Sequence, residues 1–351
     1  MQPSSLRANA QGQREHAGIF YARAPSGVEL PIIDVTHPAF AVALSADEQR
    51  TRIDAFMRES QPFDKLPPLL RRPLLRFLLR RSLLARAMSS SGSSYLSGMN
   101  TYLFKLGPDN LNLPDITPID RKIAASLPAF AMRLRVCDIA RLLADSAQSA
   151  LAGVAAERPL YLLNIAGGPA IDSLNALILL NRERADLLTG RRLEVVVFDL
   201  DTDGPEFGAR ALSVLLAPGA PLAGREVRFR RVHYDWSNPT ELVPVLEEAR
   251  GANAVTLASS EGGLFEYGSD EQILANLGTL RVGTGTGFAL VGSVTRADAP
   301  IERLRSSSRV PTRPRGLAVF SALIQTSGFT VERALERPFS DHVVLVPRAS
   351  T

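Results

Sequence analysis

The stretch Tyr161-Leu-Leu-Asn-Ile-Ala-Gly-Gly-Pro-Ala-Ile-Asp-Ser-Leu-Asn-Ala-Leu177 joins an apolar run to a tight turn of small residues and then to a helical pattern. It reads as a strand, a ligand-hugging turn and a helix N-terminus. Gly167 and Gly168 admit backbone angles closed to other residues and let a ligand approach the main chain. The helix that follows offers unpaired N–H groups at its positive dipole end. A nucleotide-like ligand suits such a place. The third glycine of G-x-G-x-x-G is missing, so the general nucleotide reading is stronger than the dinucleotide one.

Two further strands follow. Leu193-Glu-Val-Val-Val-Phe-Asp199 is a β-branched run, the mark of a buried parallel strand, and it ends in an acid. A carboxylate at that tip, beside the glycine turn, can accept hydrogen bonds from both ribose hydroxyls. Asp199 is the first choice for that role and Asp201 the second. Glu226 to Val232 is a third strand, leading into His233-Tyr-Asp-Trp-Ser237 with the chain's single Trp. Asp235 and Trp236 make an adenine pair, the ring covering the base and the carboxylate accepting from its amine. The alternative is a half-buried core Trp beside a helix-capping Asp.

With these elements in place the chain resembles the class I S-adenosylmethionine-dependent methyltransferases from about Ala125 to its C-terminus. The resemblance assigns Ala166, Gly167, Gly168 and Ala170 to the turn at the cofactor, Asp199 to ribose, and Asp235 with Trp236 to adenine. Asn164 stands where that family carries an acid, and Ala166 and Ala170 stand at two of its glycines. Asn164 and Ser259 complete the cofactor set. The later elements fit: Asn253–Ala258 as strand four, Glu271–Leu280 as a helix, Gly287–Val294 as strand five, Gly316–Gln325 as a helix, then strands at Phe329–Ala334 and His342–Val346. The short Pro-containing link between the last two permits an antiparallel pair. The expected fold is therefore α/β: a doubly wound, mostly parallel seven-stranded sheet with a closing antiparallel hairpin, preceded by a helical cap. Dehydrogenases usually continue winding instead.

The cap occupies the first third. From about Ser45 to Asp120 the chain is helix-like, and the Pro-rich Asn112–Asp120 stretch sets the expected division, residues 1–120 as a substrate-covering region and 121–351 as the cofactor-binding domain. In the Ser/Gly-rich 89–108 stretch, Tyr95, Met99, Asn100 and Tyr102 form a candidate substrate wall. Their spacing equally suits residues facing a helix core. The arginine- and leucine-rich segment Leu66–Arg86 reads as an amphipathic helix started or broken at Pro73.

Composition limits the function classes. A formal charge of +4, spread through helices, is weak support for a nucleic-acid partner. No apolar run reaches the roughly 18 residues of a membrane span, and the first residues are too polar for a signal peptide. The single cysteine, Cys137, allows no internal disulfide and no cysteine cluster for zinc, and suits the cytoplasm. The four histidines, His16, His37, His233 and His342, show no metal-ligand spacing, so no metal is expected.

After strand four, Ser259-Ser-Glu-Gly-Gly-Leu-Phe-Glu-Tyr-Gly268 lies at the sheet edge where such folds bind ligands. Glu261 is the first candidate base or orienting group there, Tyr267 the second, and His233, beside the adenine pair, a minor acid–base candidate. The reading is methyl transfer from S-adenosyl-L-methionine, with S-adenosyl-L-homocysteine as product, to a small-molecule acceptor such as a specialised metabolite, at O, N or C. A homodimer through the cap is possible. The alternatives are a catalytically weak methyltransferase-like partner subunit and a nicotinamide-dependent oxidoreductase.

Overall fold

The computed structural model describes residues 7–8, 14–15, 17–58, 81–89, 97–113, 115–285, 287–307 and 312–348. Tyr95, Pro73 and the 66–80 part of the arginine- and leucine-rich segment lie outside them. Seven strands form the central sheet: β1 Leu160–Ile165, β2 Leu193–Asp199, β3 Val227–His233, β4 Val255–Ser260, β5 Leu290–Thr295, β6 Phe329–Glu336 and β7 Ser340–Pro347. Their order across the sheet is β6-β7-β5-β4-β1-β2-β3. Strands β1 to β5 pair in parallel, while β7 runs antiparallel to both β5 and β6. The expected closing hairpin is present.

The sequence explains the layers. Every residue of β1 is buried, because a parallel sheet is covered by helices on both faces. Leu160 and Leu162 join one apolar cluster; Tyr161, Leu163 and Ile165 join the other, as the two-residue strand period requires. The sheet edges are guarded by charge against pairing with other chains. Arg228, Arg230 and Arg231 sit on β3, and Glu332 and Arg333 are exposed on β6, beside an irregularity in register between Val331 and Arg333.

Before the sheet come α1 Ala46–Arg58, α2 Leu83–Ser89, α3 Gly98–Lys105, α4 Pro118–Ala124 and the long α5 Leu127–Leu151. An antiparallel ribbon, Tyr21–Arg23 with Glu29–Pro31, precedes them. Its short strands carry too few residues to show alternation, and the sequence pattern did not announce it. The N-terminal region is packed into the main core: Leu30, Ile32, Tyr102 and Leu106 share a cluster with Leu162, Leu174 and Val197. Among the described residues no helix is long and apolar enough to cross a membrane.

Asp120 holds the cap to itself. Its Oδ1 accepts from Ser82 Oγ at 2.6 Å and the Leu84 N–H at 2.8 Å, and its Oδ2 accepts from the Thr117 hydroxyl and N–H as half of a capping box. Burial works to raise this carboxyl, but those four donors hold it below the ordinary aspartate value. The stabilisation is present at neutral pH and fades as pH falls through the lowered folded value. Asp120→Ala strands four donors and is expected to cost about 3 kcal/mol in urea unfolding at pH 7, with a smaller difference at pH 3.

Candidate functional site

The strand order reverses between β1 and β4: β2 and β3 lie to one side, β5 to the other. A crevice forms at such a switch point beyond the carboxyl ends of the strands. The small-residue turn after β1 and the Ser259–Gly268 loop after β4 meet there.

The turn keeps a glycine-like path without glycine at each position. Ala166, Gly168 and Ala170 have φ of 54°, 56° and 51°, and Ala170 leads directly into α6, Ile171–Glu183. A left-handed alanine costs about 1 kcal/mol, so this conformation is imposed by its surroundings. Gly167 is required sterically, since a Cβ there would fall 1.9 Å from Asn164 Oδ1. Above the turn, a Cβ on Gly98 would lie 2.6 Å from the Gly168 Cα, and one on Gly204 would lie 2.8 Å from the same atom. Three backbones thus meet at one point, with the first residue of α3 seated on the turn.

Asp199 is tied to that turn. Its Oδ2 accepts from the Gly168 N–H at 2.9 Å, and its Oδ1 accepts from the Asp201 N–H at 2.9 Å. Burial, with the Asp201 charge adding to it, keeps the carboxyl above the ordinary aspartate value against those two bonds. A carboxylate of raised basicity is a strong acceptor for hydroxyl donors. Asp201 is half-buried, and its own Oδ1 accepts from the Asp203 N–H. Past β3, Asp235 is exposed and accepts from the Ser237 N–H, while Trp236 is half-buried against the apolar cluster containing Tyr234 and Leu242. Asp235 closes a turn on Ser237 and caps no helix, since the turn Pro239–Glu241 is capped by Asn238.

Beneath the turn is a buried polar knot in which Asn164 Oδ1 and Asp172 Oδ2 are left without a hydrogen-bond partner. Asn164 Nδ2 donates to Asp172 Oδ1 at 2.8 Å, Ser259 Oγ at 3.1 Å and Ser173 Oγ at 3.2 Å, and Asn164, Asp172, Ser173 and Ser259 are all fully buried or nearly so. Asn164 and Ser259 therefore support the turn from inside. Burial, reinforced by the Glu261 charge, pushes the Asp172 carboxyl up to about 6.

Glu261 is 2% exposed and ion-paired to Lys105 Nζ at 2.5 Å and Arg135 Nε at 3.0 Å; Arg135 also holds Glu266 at 2.6 Å. Burial would raise Glu261, but the two cations overcome it and hold the carboxyl below the ordinary glutamate value. A carboxylate so neutralised is a poor proton acceptor. Glu261, expected as a base or orienting group, lies in this structure as the buried counter-ion of Lys105 and Arg135 and ties the loop to them. Tyr267 is half-buried with its phenol pushed up by burial and by Glu266. His233 is exposed at the end of the edge strand β3, beside Arg231, with β2 and β1 between it and the loop after β4. It does not join Glu261 and Tyr267.

The candidate substrate wall divides. Tyr102 is fully buried, its OH donating to Pro31 O at 2.7 Å and accepting from the Ile33 N–H at 3.1 Å, and its ring packs on Phe207. It is a structural post for the ribbon, the position that the helix-core alternative describes. Met99 packs against the core, and Asn100 is part-buried with Nδ2 donating to Ala87 O. Cys137 is half-buried in α5, its thiol pushed up to about 11 by burial. Lys105, Arg135 and Asp172 escaped the sequence reading because each lies in a helical pattern where a charge is ordinarily solvated. Scarcity of lysine was the only hint for Lys105.

No protein-family model and no curated protein matches the sequence. Among solved structures, a possible exported protein from Bordetella parapertussis aligns over 88% of this chain and 100% of that chain, with 18% identity and a TM-score of 0.55. The mitomycin 7-O-methyltransferase MmcR aligns over 89% of this chain and 74% of that chain, at 15% identity and a TM-score of 0.37. A Burkholderia thailandensis 1,6-didemethyltoxoflavin-N1-methyltransferase aligns over 60% and 79%, at 15% identity and a TM-score of 0.37. The order of the seven strands, the turn after β1 and the antiparallel β7 settle the architecture. The fold is α/β and Rossmann-like, a mostly parallel seven-stranded sheet closed by an antiparallel hairpin. The turn and Asp199 lie at the carboxyl ends of the neighbouring strands β1 and β2. Among the described residues no group of three His, Cys, Asp or Glu is arranged to hold a metal ion.

The Asp172 environment makes a signed prediction. Between pH 3.8 and about 6 the folded chain holds a proton at Asp172 that the unfolded chain has released, so this residue destabilises the fold progressively as pH rises through that window. Asp172→Asn is expected to raise stability by about 2 kcal/mol at pH 8, with the gain vanishing near pH 4, in paired thermal melts.

Proposed function

We propose that this chain transfers a methyl group from S-adenosyl-L-methionine to a small-molecule acceptor. The observation that carries the reading is the join between Asp199 and the turn: the carboxylate at the end of β2 accepts from the Gly168 N–H while Ala166 and Ala170 stay at positive φ. Strain kept in a turn at the switch point points to use of that turn. The donor set suits the methyl donor. Asp199 would accept from the ribose hydroxyls, Asp235 and Trp236 would meet adenine, and the turn backbone would face the methionine end. Asn164 offers no charge to the donor's ammonium group, and its amide is engaged by Asp172 and the two serines.

Methyl transfer is an in-line displacement, so the protein's work is to bring nucleophile and methyl carbon into contact and exclude water. The loop after β4, anchored through Glu261 to Lys105 and Arg135, would hold its shape during that step. Residues 1–120 would cover the acceptor and 121–351 would bind the donor. A small molecule suits a site roofed by packed N-terminal elements better than a polymer does. The lone, half-buried Cys137 favours the cytoplasm.

One observation favours a second reading, a partner subunit of the same fold that binds the donor weakly: Gly98 sits directly on Gly168, where a ligand would approach the turn. Calorimetric titration with S-adenosylhomocysteine, with NAD in parallel, separates these. Micromolar binding that weakens at least tenfold in Asp199→Ala is the expected result. Absence of S-adenosylhomocysteine binding favours the partner subunit, and binding of NAD in its place favours an oxidoreductase.

A further inference from the structure

A cavity of about 420 Å³ opens between the end of β5, the β6–β7 hairpin and the start of the helix Gly316–Gln325. The sheet register places its polar wall. Strand β7 runs antiparallel to both neighbours, so Asp341 lies opposite Glu336 of β6 and Val294 of β5. Cross-strand partners project from the same face. Val294 shares an apolar cluster with Phe320 of that helix, so Asp341 and Glu336 stand on the helix side of the sheet. His342, the next residue along β7, takes the other face, where its ring meets Asp138 of α5 at 2.9 Å and Ser340 at 3.1 Å. Strand β4 lies between the end of β5 and the strand that carries the glycine turn, β1.

Among the described residues that line the cavity, Arg296 is the sole cation. Three carboxylates share it. Asp298 Oδ2 accepts from its Nε at 2.7 Å, Glu336 Oε1 from its Nη1 at 2.6 Å, and Asp341 Oδ1 from the same Nη1 at 3.1 Å. Two negative charges are left uncompensated. Arg315, next in the chain to Gly316, does not help, because its guanidinium is turned to Asp270 and to the carbonyls of Phe265 and Gly268. The N-terminus of the helix adds about half a positive charge, too little to close the balance.

Asp341 shows the deficit most clearly. Its side chain is 6% exposed, and among the described residues only its Oδ1 accepts a hydrogen bond, which leaves Oδ2 to the cavity. Burial and the Glu336 charge keep its carboxyl above the ordinary aspartate value, although Arg296 and His342 pull it down. A buried carboxylate oxygen that meets no donor calls for a partner. Like charges directly opposite across a strand pair are destabilising, so Asp341 beside Glu336 adds to that demand. The remaining walls include Ala297, Leu317 and Ala334, which are apolar. A single ion or water, at about 30 Å³, fills little of such a space. An alkyl chain that carries ammonium groups matches both the charge and the apolar walls.

We infer that this cavity binds a small aliphatic diammonium ion, a short chain of methylenes with an ammonium at each end. One ammonium donates to Asp341 Oδ2. The other meets Glu336, whose side chain is 70% exposed at the rim, while the methylenes lie against Leu317 and Ala334. Asp298 and Arg296 keep each other. The site goes beyond the methyl-transfer reading and uses none of the residues of the glycine turn.

The test titrates the full chain with 1,4-diaminobutane in a calorimeter at pH 7, with 1,4-butanediol and magnesium chloride in parallel. The diamine is expected to bind at submillimolar concentration and the diol not at all, and equimolar magnesium should leave the diamine isotherm unchanged. Asp341→Asn, which keeps the side chain's volume, should weaken binding about tenfold, and Glu336→Gln, at the rim, about threefold. Ala334→Leu fills the cavity from an exposed position, so it should abolish binding with the melting temperature and S-adenosylhomocysteine binding unchanged. Diamine binding that survives both Asp341→Asn and Ala334→Leu overturns the inference. Displacement of the diamine by equimolar magnesium does so too, since it leaves only a general counter-ion effect, as does the absence of diamine binding in a protein that melts cooperatively. Loss of S-adenosylhomocysteine binding in Ala334→Leu overturns the separation of this cavity from the donor site.

Discussion

The buried ion lattice of Lys105, Glu261, Arg135 and Glu266 is the constraint on which the site depends. Two cations come from helices that precede the sheet, α3 and α5, and two carboxylates from the loop that follows β4. Removing four charges from water is costly unless each meets its partner, so these elements must arrive together. The lattice gives little net stability for its size and a great deal of position. It fixes the loop after β4 against the N-terminal helices and sets Glu261 as a structural anion, whose charge adds to burial in raising Asp172 beneath the glycine turn.

The glycine turn obeys a second constraint, close approach. Gly98, Gly168 and Gly204 bring three backbones into contact, and Gly167 leaves room for the Asn164 amide. The same packing holds Ala166 and Ala170 at positive φ. Two alanines thus keep a path that glycine ordinarily takes, and the knot of Asn164, Asp172, Ser173 and Ser259 lies against the turn from below. The N-terminal region is therefore part of the turn's construction. Tyr102 shows what holds that region: its ring and hydroxyl serve the ribbon and the core.

Strand β7 ties the two polar regions of the sheet edge into one face. Ser293 donates to the Glu261 carbonyl at 2.5 Å and lies opposite His342, so the ion lattice and the Asp138–His342–Ser340 chain are neighbours across a single strand pair. A purely parallel sheet would carry the N-terminal end of that strand to the opposite edge. Reversal of one strand is what places a serine and a histidine beside the ends of β4 and β5.

The sequence by itself determined the sheet. Apolar runs at β1 and β2, the turn between β1 and α6, the acid at the end of β2 and the short link before β7 were all legible, because burial on both faces of a parallel sheet and turn chemistry leave local marks. Strand limits shifted by a few residues, as with β4, expected to begin at Asn253 and found at Val255. Only the tertiary structure decided the roles of charge. Glu261 in a glycine-rich loop reads as a base, and becomes a counter-ion once Lys105, 156 positions away, and Arg135, 126 away, are folded against it. His342 reads as an isolated histidine until α5 brings Asp138 to its ring. The physical reason is common to both: strand pattern and turn chemistry are short-range properties written along the chain, whereas protonation and partnering depend on burial and on charges that only packing brings together.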